Sequence, residues 1–372
     1  MSTSNPVSRQ RIEVDLNFVN EVTRRGGGDV KKCMQCSECS VVCPLSPSES
    51  PFPRKEMLWT QWGLKDKLMA DPDIWMCHNC EDCSKECPRN AKPGSVLGAL
   101  RSMVIETYSW PRAISRAFSK KAFLALFALV PVVLMIVFFL ATGIRVPNGG
   151  PIYFSSLVPY NYLDTAGIIV GAYAILALLY GCFRYYRTLS KQKKGKMNAV
   201  IAAILTLKDV ILHTWFSVCG SNRNRYYAHI LIFYGFCVLL LATFTGALEI
   251  HVFGFSHALL GEPQNIIGNI GTVLILPGLL IAIINRTTSK VPKEDTYFDW
   301  FFLILLLLIV CTGFVMELLR LDGISLAYWT YMIHLILVFM LVAYFPYSKF
   351  AHLAYRFFAL TYLTSIGRRP AV

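Results

Sequence analysis

Two cysteine runs carry the most legible chemistry in this chain: Cys33-x-x-Cys36-x-x-Cys39-x-x-x-Cys43-Pro44 and Cys77-x-x-Cys80-x-x-Cys83-x-x-x-Cys87-Pro88. Thiolates at this spacing ligate [4Fe–4S] cubanes. Three close cysteines wrap one face, and the fourth, set apart before proline, usually ligates the neighbouring cluster. The spacing therefore predicts two crossed sets, Cys33, Cys36 and Cys39 with Cys87, and Cys77, Cys80 and Cys83 with Cys43. A disulfide framework needs an oxidising compartment, whereas the stretch through Asn20 is polar and holds no apolar core of a secretory signal. Structural zinc uses two Cys-x-x-Cys pairs across a longer loop, not an unbroken run of four. Cys182, Cys219, Cys237 and Cys311 share no ligand spacing and read as small apolar residues.

Histidines form the second set. Helical bundles hold haem by offering one imidazole from each of two facing helices, each fixed by a further hydrogen bond. His334 and His352 are separated by roughly 27 Å of helix at 1.5 Å per residue, too far to share an iron. They imply two haems stacked across a bilayer. By depth, His229 pairs with His352 for the inner haem, and His251 is the partner of His334 for the outer one, with His213 as its competitor. Without a Cys-x-x-Cys-His sequence such haem is b-type and not covalently attached. A histidine at the interface, reaching to headgroups, is the simpler alternative for each. Asp209 and His213 share a helix face and could relay protons, as could Glu249, Glu317 and Asp322 at the opposite end, though a solvated face explains the first pair as well.

These residues need a membrane frame to position them. The chain has 372 residues, 55% hydrophobic and 16% charged, with the apolar excess after Phe123. Runs long enough to cross a bilayer, roughly 17 to 25 residues, lie near Ala122–Ile144, Thr165–Phe183, Ala228–Ile250, Ile266–Ile284, Trp300–Leu319 and Tyr331–Tyr347. Residues 197–218, interrupted by Lys208, Asp209 and His213, read as an amphipathic helix at the interface instead of a seventh span.

Lys and Arg gather in alternate loops: Arg112, Arg116, Lys120 and Lys121; Arg184 through Arg225; Arg286, Lys290 and Lys293; Lys349, Arg356, Arg368 and Arg369. The positive-inside rule places these loops, both termini and the cysteine domain in the cytoplasm, with the spans in the inner membrane. The net charge of +13 follows from this asymmetry and from lipid headgroups, so nucleic-acid binding needs no separate hypothesis. Between the cysteine runs, Met57, Leu58, Trp59 and Trp62, then Leu64, Leu68 and Met69, recur at helical spacing. The expected fold is all-α: an α-helical ferredoxin domain over residues 1–110, a basic linker over 111–121, and a six-helix transmembrane bundle over 122–372.

With its two cysteine motifs, Phe52-Pro53-Arg54 and Trp75-Met76-Cys77, the front end resembles the small iron–sulfur protein of heterodisulfide reductase, its C-type component. The back end resembles the cytochrome b of respiratory nitrate reductase and the membrane cytochrome of heterodisulfide reductase. The residues that carry this are 224–236 (with His229), His334-Leu335 and Phe345-Pro346-Tyr347-Ser348-Lys349-x-x-His352. Their fusion is similar to the membrane component of quinone-interacting membrane-bound oxidoreductase complexes. The resemblance implies a dihaem cytochrome b that exchanges electrons with menaquinone and passes them through cytoplasmic flavin and iron–sulfur partner subunits toward adenylylsulfate reductase in sulfate respiration. It also implies quinol chemistry near the outer haem, and the pairing of His229 with His352. In the nitrate reductase family the helix carrying the first histidine bears a second about three turns on; here that position is Leu239. Two alternatives stand beside this reading: the membrane module of a heterodisulfide- or sulfite-reducing complex, and a haem-free anchor that only docks the clusters.

Overall fold

The computed structural model describes residues 13–147, 151–216, 218, 223–254, 262–288 and 297–368. Cys219, Lys290, Lys293 and Arg369 lie outside the described residues. The helices are α1 (Leu16–Val22), α2 (Glu38–Val41), α3 (Arg54–Gln61), α4 (Lys65–Met69), α5 (Asp82–Lys85), α6 (Pro93–Tyr108), α7 (Arg112–Phe118), α8 (Leu124–Thr142), α9 (Tyr160–Ser190), α10 (Ala199–Leu212), α11 (Arg223–His251), α12 (Pro263–Thr288), α13 (Tyr297–Leu321), α14 (Leu326–Ala343) and α15 (His352–Ser365). No strand occurs among the described residues. Two compact units divide inside α6, between Val104 and Ile105.

The front unit is small, and its core draws heavily on the segment between the cysteine runs. Met57, Leu68, Ile74, Val96, Leu97 and Leu100 are fully buried, and Phe52 and Trp75 nearly so. The helical spacing between the cysteine runs becomes α3 and α4, joined by a tight turn at Gly63. Gly63 has φ +65°, and the Asp15 backbone packs so close that a Cβ there would lie 2.8 Å from its carbonyl oxygen, so only glycine fits. Asp15 in turn caps α1, accepting from Phe18 N at 2.9 Å.

In the second unit, six helices are long and apolar enough to cross a membrane, spanning Lys121–Thr142, Tyr160–Ser190, Arg223–His251, Pro263–Thr288, Tyr297–Leu321 and Leu326–Ala343. Their outward faces expose Leu140, Ile168, Leu176, Phe244 and Val273, each by more than 60%. Water would penalise such a surface at roughly 25 cal/mol per Å² of apolar area. Lipid does not, and the chain is a multi-pass membrane protein. Pro131 and Pro277 sit inside spans, where neighbouring helices and local adjustments satisfy the backbone groups they free.

The tightest pair is the antiparallel hairpin of α11 and α12. Gly235 lies against Ile275, Gly271 against Leu239, and Gly278 against Leu231 and the Ala228 carbonyl, so small residues let two backbones approach. Leu239 serves packing here, its side chain and backbone lying against Gly271.

Three features add to or differ from the expectations. The basic linker 111–121 contains α7, and its Phe118 is buried among Phe127, Phe298, Phe301 and Tyr344. The sixth span ends at Ala343, because the chain leaves the helix at Tyr344 and turns through Pro346; His352 opens a separate helix, α15. The straight helical rise assumed between His334 and His352 therefore does not describe this segment. Third, α10 ends at Leu212, with His213 left-handed (φ 52°) at its C-cap. This helix buries Ala202, Thr206 and Asp209 and turns Val200, Ile201, Ile204 and Leu212 outward. At 14 residues it is too short to cross, and its apolar outer face suits the interface.

Candidate functional site

The cysteine runs fold as a local repeat. Each places two non-glycine residues in the left-handed region: Gln35 and Ser37 in the first, Asn79 and Glu81 in the second. Such residues cost roughly 1–2 kcal/mol each. Their recurrence at matching offsets bends both runs so that successive cysteines face one centre. Ser37 and Glu81 then start the short helices α2 and α5, which carry Cys39 and Cys83 and pack against each other.

Cys33, Cys36, Cys39 and Cys87 line one cavity, with about 340 Å³ of space open to solvent, beside Gln35, Arg54 and Arg89. Cys87 thus joins the first run, and Cys43 lies within electrostatic range of Cys77 and Cys80. N–H groups point at the sulfurs: Asn79 N to Cys77 Sγ at 3.2 Å, Ala91 N to Cys87 Sγ at 3.3 Å, and Gln35 Nε2 to Cys33 Sγ at 3.4 Å. Burial pushes the Cys39 and Cys43 thiols up to about 12 and raises that of Cys83. Holding these sulfurs as thiolates requires compensating positive charge, which cluster iron supplies. The donor set, its convergence and its N–H···S bonds fit two cubanes.

A feature the cysteine spacing did not announce lies between the runs. Lys55 Nζ sits 3.1 Å from Glu56, 3.0 Å from Asp71 and 2.6 Å from Asp73, all three carboxylates being buried. Burial is the main cause that raises the Glu56 and Asp71 carboxyls, Lys55 opposing it. Only the fold reveals this group, because no spacing rule links position 55 to 71 and 73.

In the bundle, acceptors on the imidazoles define their tautomers. His352 Nδ1 donates to the Lys349 carbonyl at 2.5 Å. His334 Nδ1 donates to Thr312 Oγ1 at 3.0 Å, since that hydroxyl gives its own proton to the Leu308 carbonyl. His213 Nδ1 donates to the Ile211 carbonyl at 3.0 Å, so its Nε2 accepts, and His229 Nδ1 is the donor 3.2 Å away. His229, His334 and His352 therefore all carry the proton on Nδ1 and the lone pair on Nε2. His213, His352, Lys349 and Arg356 all lie within electrostatic range of His229.

His251 differs. Its Nε2 lies 2.9 Å from Asp164 Oδ2, at an exposed site joining the N-terminal end of α9 to the C-terminal end of α11, and its lone pair, when neutral, is on Nδ1. His213, the competitor for the outer position, is at the opposite end beside His229. Among the proton candidates, Glu317 accepts from Asn269 Nδ2 at 3.0 Å, and buried Glu249 accepts from Gln264 N at 3.1 Å while its Oε2 has no hydrogen-bond partner among the described residues. Asp209 is buried and accepts from the Thr214 hydroxyl at 3.3 Å.

Comparisons with known proteins divide the chain in the same way. Residues 113–371 match the family model Citrate utilization protein B, and residues 29–91 match a 4Fe-4S dicluster domain. Among curated proteins, the heterodisulfide reductase C-subunit-like protein of Archaeoglobus profundus is 30% identical over 102 residues, 27% of this chain and 54% of that protein. The second C-type iron-sulfur protein of CoB–CoM heterodisulfide reductase from Methanocaldococcus jannaschii is 36% identical over 102 residues, covering 25% and 54%. The C-type component of the H(2):CoB-CoM heterodisulfide,ferredoxin reductase of Methanothermobacter marburgensis is 32% identical over 90 residues, covering 24% and 48%. The chain thus spans about half the length of the curated relatives it matches. No solved structure matches it.

Proposed function

The chain belongs to the Citrate utilization protein B family, and from that premise we propose that it is the membrane electron-transfer component of a multisubunit redox complex, exchanging electrons between menaquinol in the bilayer and cytoplasmic flavin and iron–sulfur partners. The observation that carries this reading is the common tautomer of His229, His334 and His352 in the same chain as a 4Fe-4S dicluster domain. An Nδ1 proton held by an oxygen or nitrogen acceptor leaves Nε2 to bind a metal, which is how ligand imidazoles are normally oriented.

Two [4Fe–4S] clusters and two b haems, when bound, would supply one-electron steps. Cys33, Cys36, Cys39 and Cys87 would hold one cluster, and Cys77, Cys80, Cys83 and Cys43 the other. His229 and His352 would offer Nε2 to the inner haem, with Arg356 one turn beyond His352 for its acidic edge. His334 would hold the outer haem, with His251 able to join it only through Nδ1 while Asp164 keeps Nε2. Glu249 and Glu317 would take the quinol protons, a reading supported by the cost of intramembrane carboxylates that have no such role. The cluster domain, the basic loops and both termini are assigned to the cytoplasm on their Lys and Arg content.

For the soluble partner, the resemblance to quinone-interacting complexes favours adenylylsulfate reductase. The family's name favours a second reading, in which the same wire serves a citrate-utilising partner. Purifying the intact complex tests all of this at once: reduced-minus-oxidised spectra should show a b-type α band, and the co-purifying proteins should include a flavoprotein. A complex with full iron–sulfur content and no α band would reduce the bundle to an anchor.

A further inference from the structure

We propose that His213 is a positioning residue: the turn that closes the interfacial helix α10 holds the His229 imidazole through a hydrogen bond to its Nδ1. The inference rests on the reading of His229 as a haem ligand. Sequence makes His213 a competitor for the outer haem, but its place in the fold assigns it a different task.

The geometry is directional. The Ile211 carbonyl can only accept, so it takes the His213 Nδ1 proton at 3.0 Å. His213 Nε2 is then an acceptor, and the ring 3.2 Å away must donate from Nδ1. Its own Nδ1 bond holds the His213 ring in place, so the acceptor it offers is fixed. The same carbonyl also accepts from Tyr234 Oη at 2.6 Å, which ties the turn to α11.

The turn itself is built for this contact. His213 adopts φ 52°, a left-handed conformation that ends α10, and Phe216 N closes back on the His213 carbonyl at 3.0 Å. Phe216 is thereby laid against the His229 ring, with centroids 4.8 Å apart and planes at 27°. The short turn from 213 to 216 thus supplies one face contact and one hydrogen bond to a single imidazole. His352 and His334 use simpler acceptors, a main-chain carbonyl and a threonine hydroxyl. A neutral imidazole is a stronger acceptor than either, so it pushes more electron density onto His229 Nε2 and favours the oxidised state of an iron bound there.

The test uses the full chain with its haem in lipid nanodiscs, comparing His213→Gly, His213→Asn and His229→Gly. Glycine keeps the left-handed backbone while removing the acceptor, and asparagine tolerates that backbone and restores an acceptor oxygen. His213→Gly should weaken haem binding about 10- to 100-fold and shift the inner haem's reduction equilibrium about tenfold toward the reduced form, or about 59 mV for a one-electron couple. His213→Asn, or imidazole added to the glycine variant, should return both toward the wild-type values. An unchanged potential and affinity in His213→Gly overturns the proposal, as does a His213→Gly protein that loses the haem while His229→Gly keeps it. A wild-type protein with no b haem overturns the underlying reading of His229 and is recognised from the wild-type spectrum alone.

Discussion

His334 is held by Thr312. The imidazole Nδ1 donates to the threonine hydroxyl at 3.0 Å, and that hydroxyl passes its proton back to the Leu308 carbonyl at 2.7 Å. The ring lies over Gly313, where a Cβ would sit 3.2 Å from His334 Cε1. Thr312→Val keeps the shape and removes the acceptor, leaving an unpaired N–H that costs about 1–3 kcal/mol. We expect the outer haem signal to weaken or shift in redox titration while the inner one is unchanged. Equal losses of both would disconnect Thr312 from a separate outer site.

Removal of Cys43 should damage the cluster held by Cys77, Cys80 and Cys83, because Cys43 lies by Cys77 and Cys80 while Cys87 lines the cavity of the first run. The intact chain should contain about eight irons in two cubanes. Cys43→Ala should halve that number, and electron paramagnetic resonance should identify the surviving cluster as the one on Cys33, Cys36, Cys39 and Cys87. Loss of that cluster instead would refute crossed ligation.

The buried group around Lys55 makes the front unit sensitive to charge. Lys55→Met leaves buried carboxylates uncompensated and should destabilise by about 3–5 kcal/mol. For Glu56 the sign follows from its raised folded pKa: the folded chain keeps a proton that the unfolded chain, near the ordinary 4.5, releases. Its contribution is full below about 4.5 and is lost as pH rises through the raised folded value. Denaturant midpoints read from iron–sulfur absorbance should fall from mildly acidic to mildly alkaline buffer, and less steeply in Glu56→Gln. Parallel slopes in the two proteins would contradict this.

In the α11–α12 hairpin, a Cβ on Gly235 would lie 2.7 Å from the Ile275 backbone nitrogen. Backbone cannot move aside as a flexible side chain can. Gly235→Ala should cost about 1–3 kcal/mol, seen as a lower thermal midpoint in nanodiscs, whereas Gly143→Ala, with open space around it, should cost only the strain of its φ of +66°.

Quinol handling at the outer end predicts that Glu317→Gln alters the affinity of a quinol-analogue inhibitor with haem content preserved. Glu317 is bonded to Asn269 across α12 and α13, so Asn269→Leu should act in the same direction. Inhibitor binding unchanged in both, but altered by Asp209→Asn, would move the quinone to the cytoplasmic interface.

The parts of this protein that depend on short stretches of chain were legible from the residues alone. A cubane needs thiolates at fixed offsets, so Cys33 to Cys43 and Cys77 to Cys87 announce themselves; a span needs about 20 apolar residues in succession, and all six expected runs overlap the six long helices. What the sequence could not disclose depends on residues that meet only after folding. The bonds of His229 to His213, His334 to Thr312 and His251 to Asp164 decide which ring nitrogen carries the proton, and no local pattern encodes a tautomer. The break at Pro346 that frees α15, and the gathering of Lys55 with Asp71 and Asp73, likewise come from packing. Spacing names the atoms that can bind a metal; tertiary hydrogen bonds decide which of them present a lone pair and where it points.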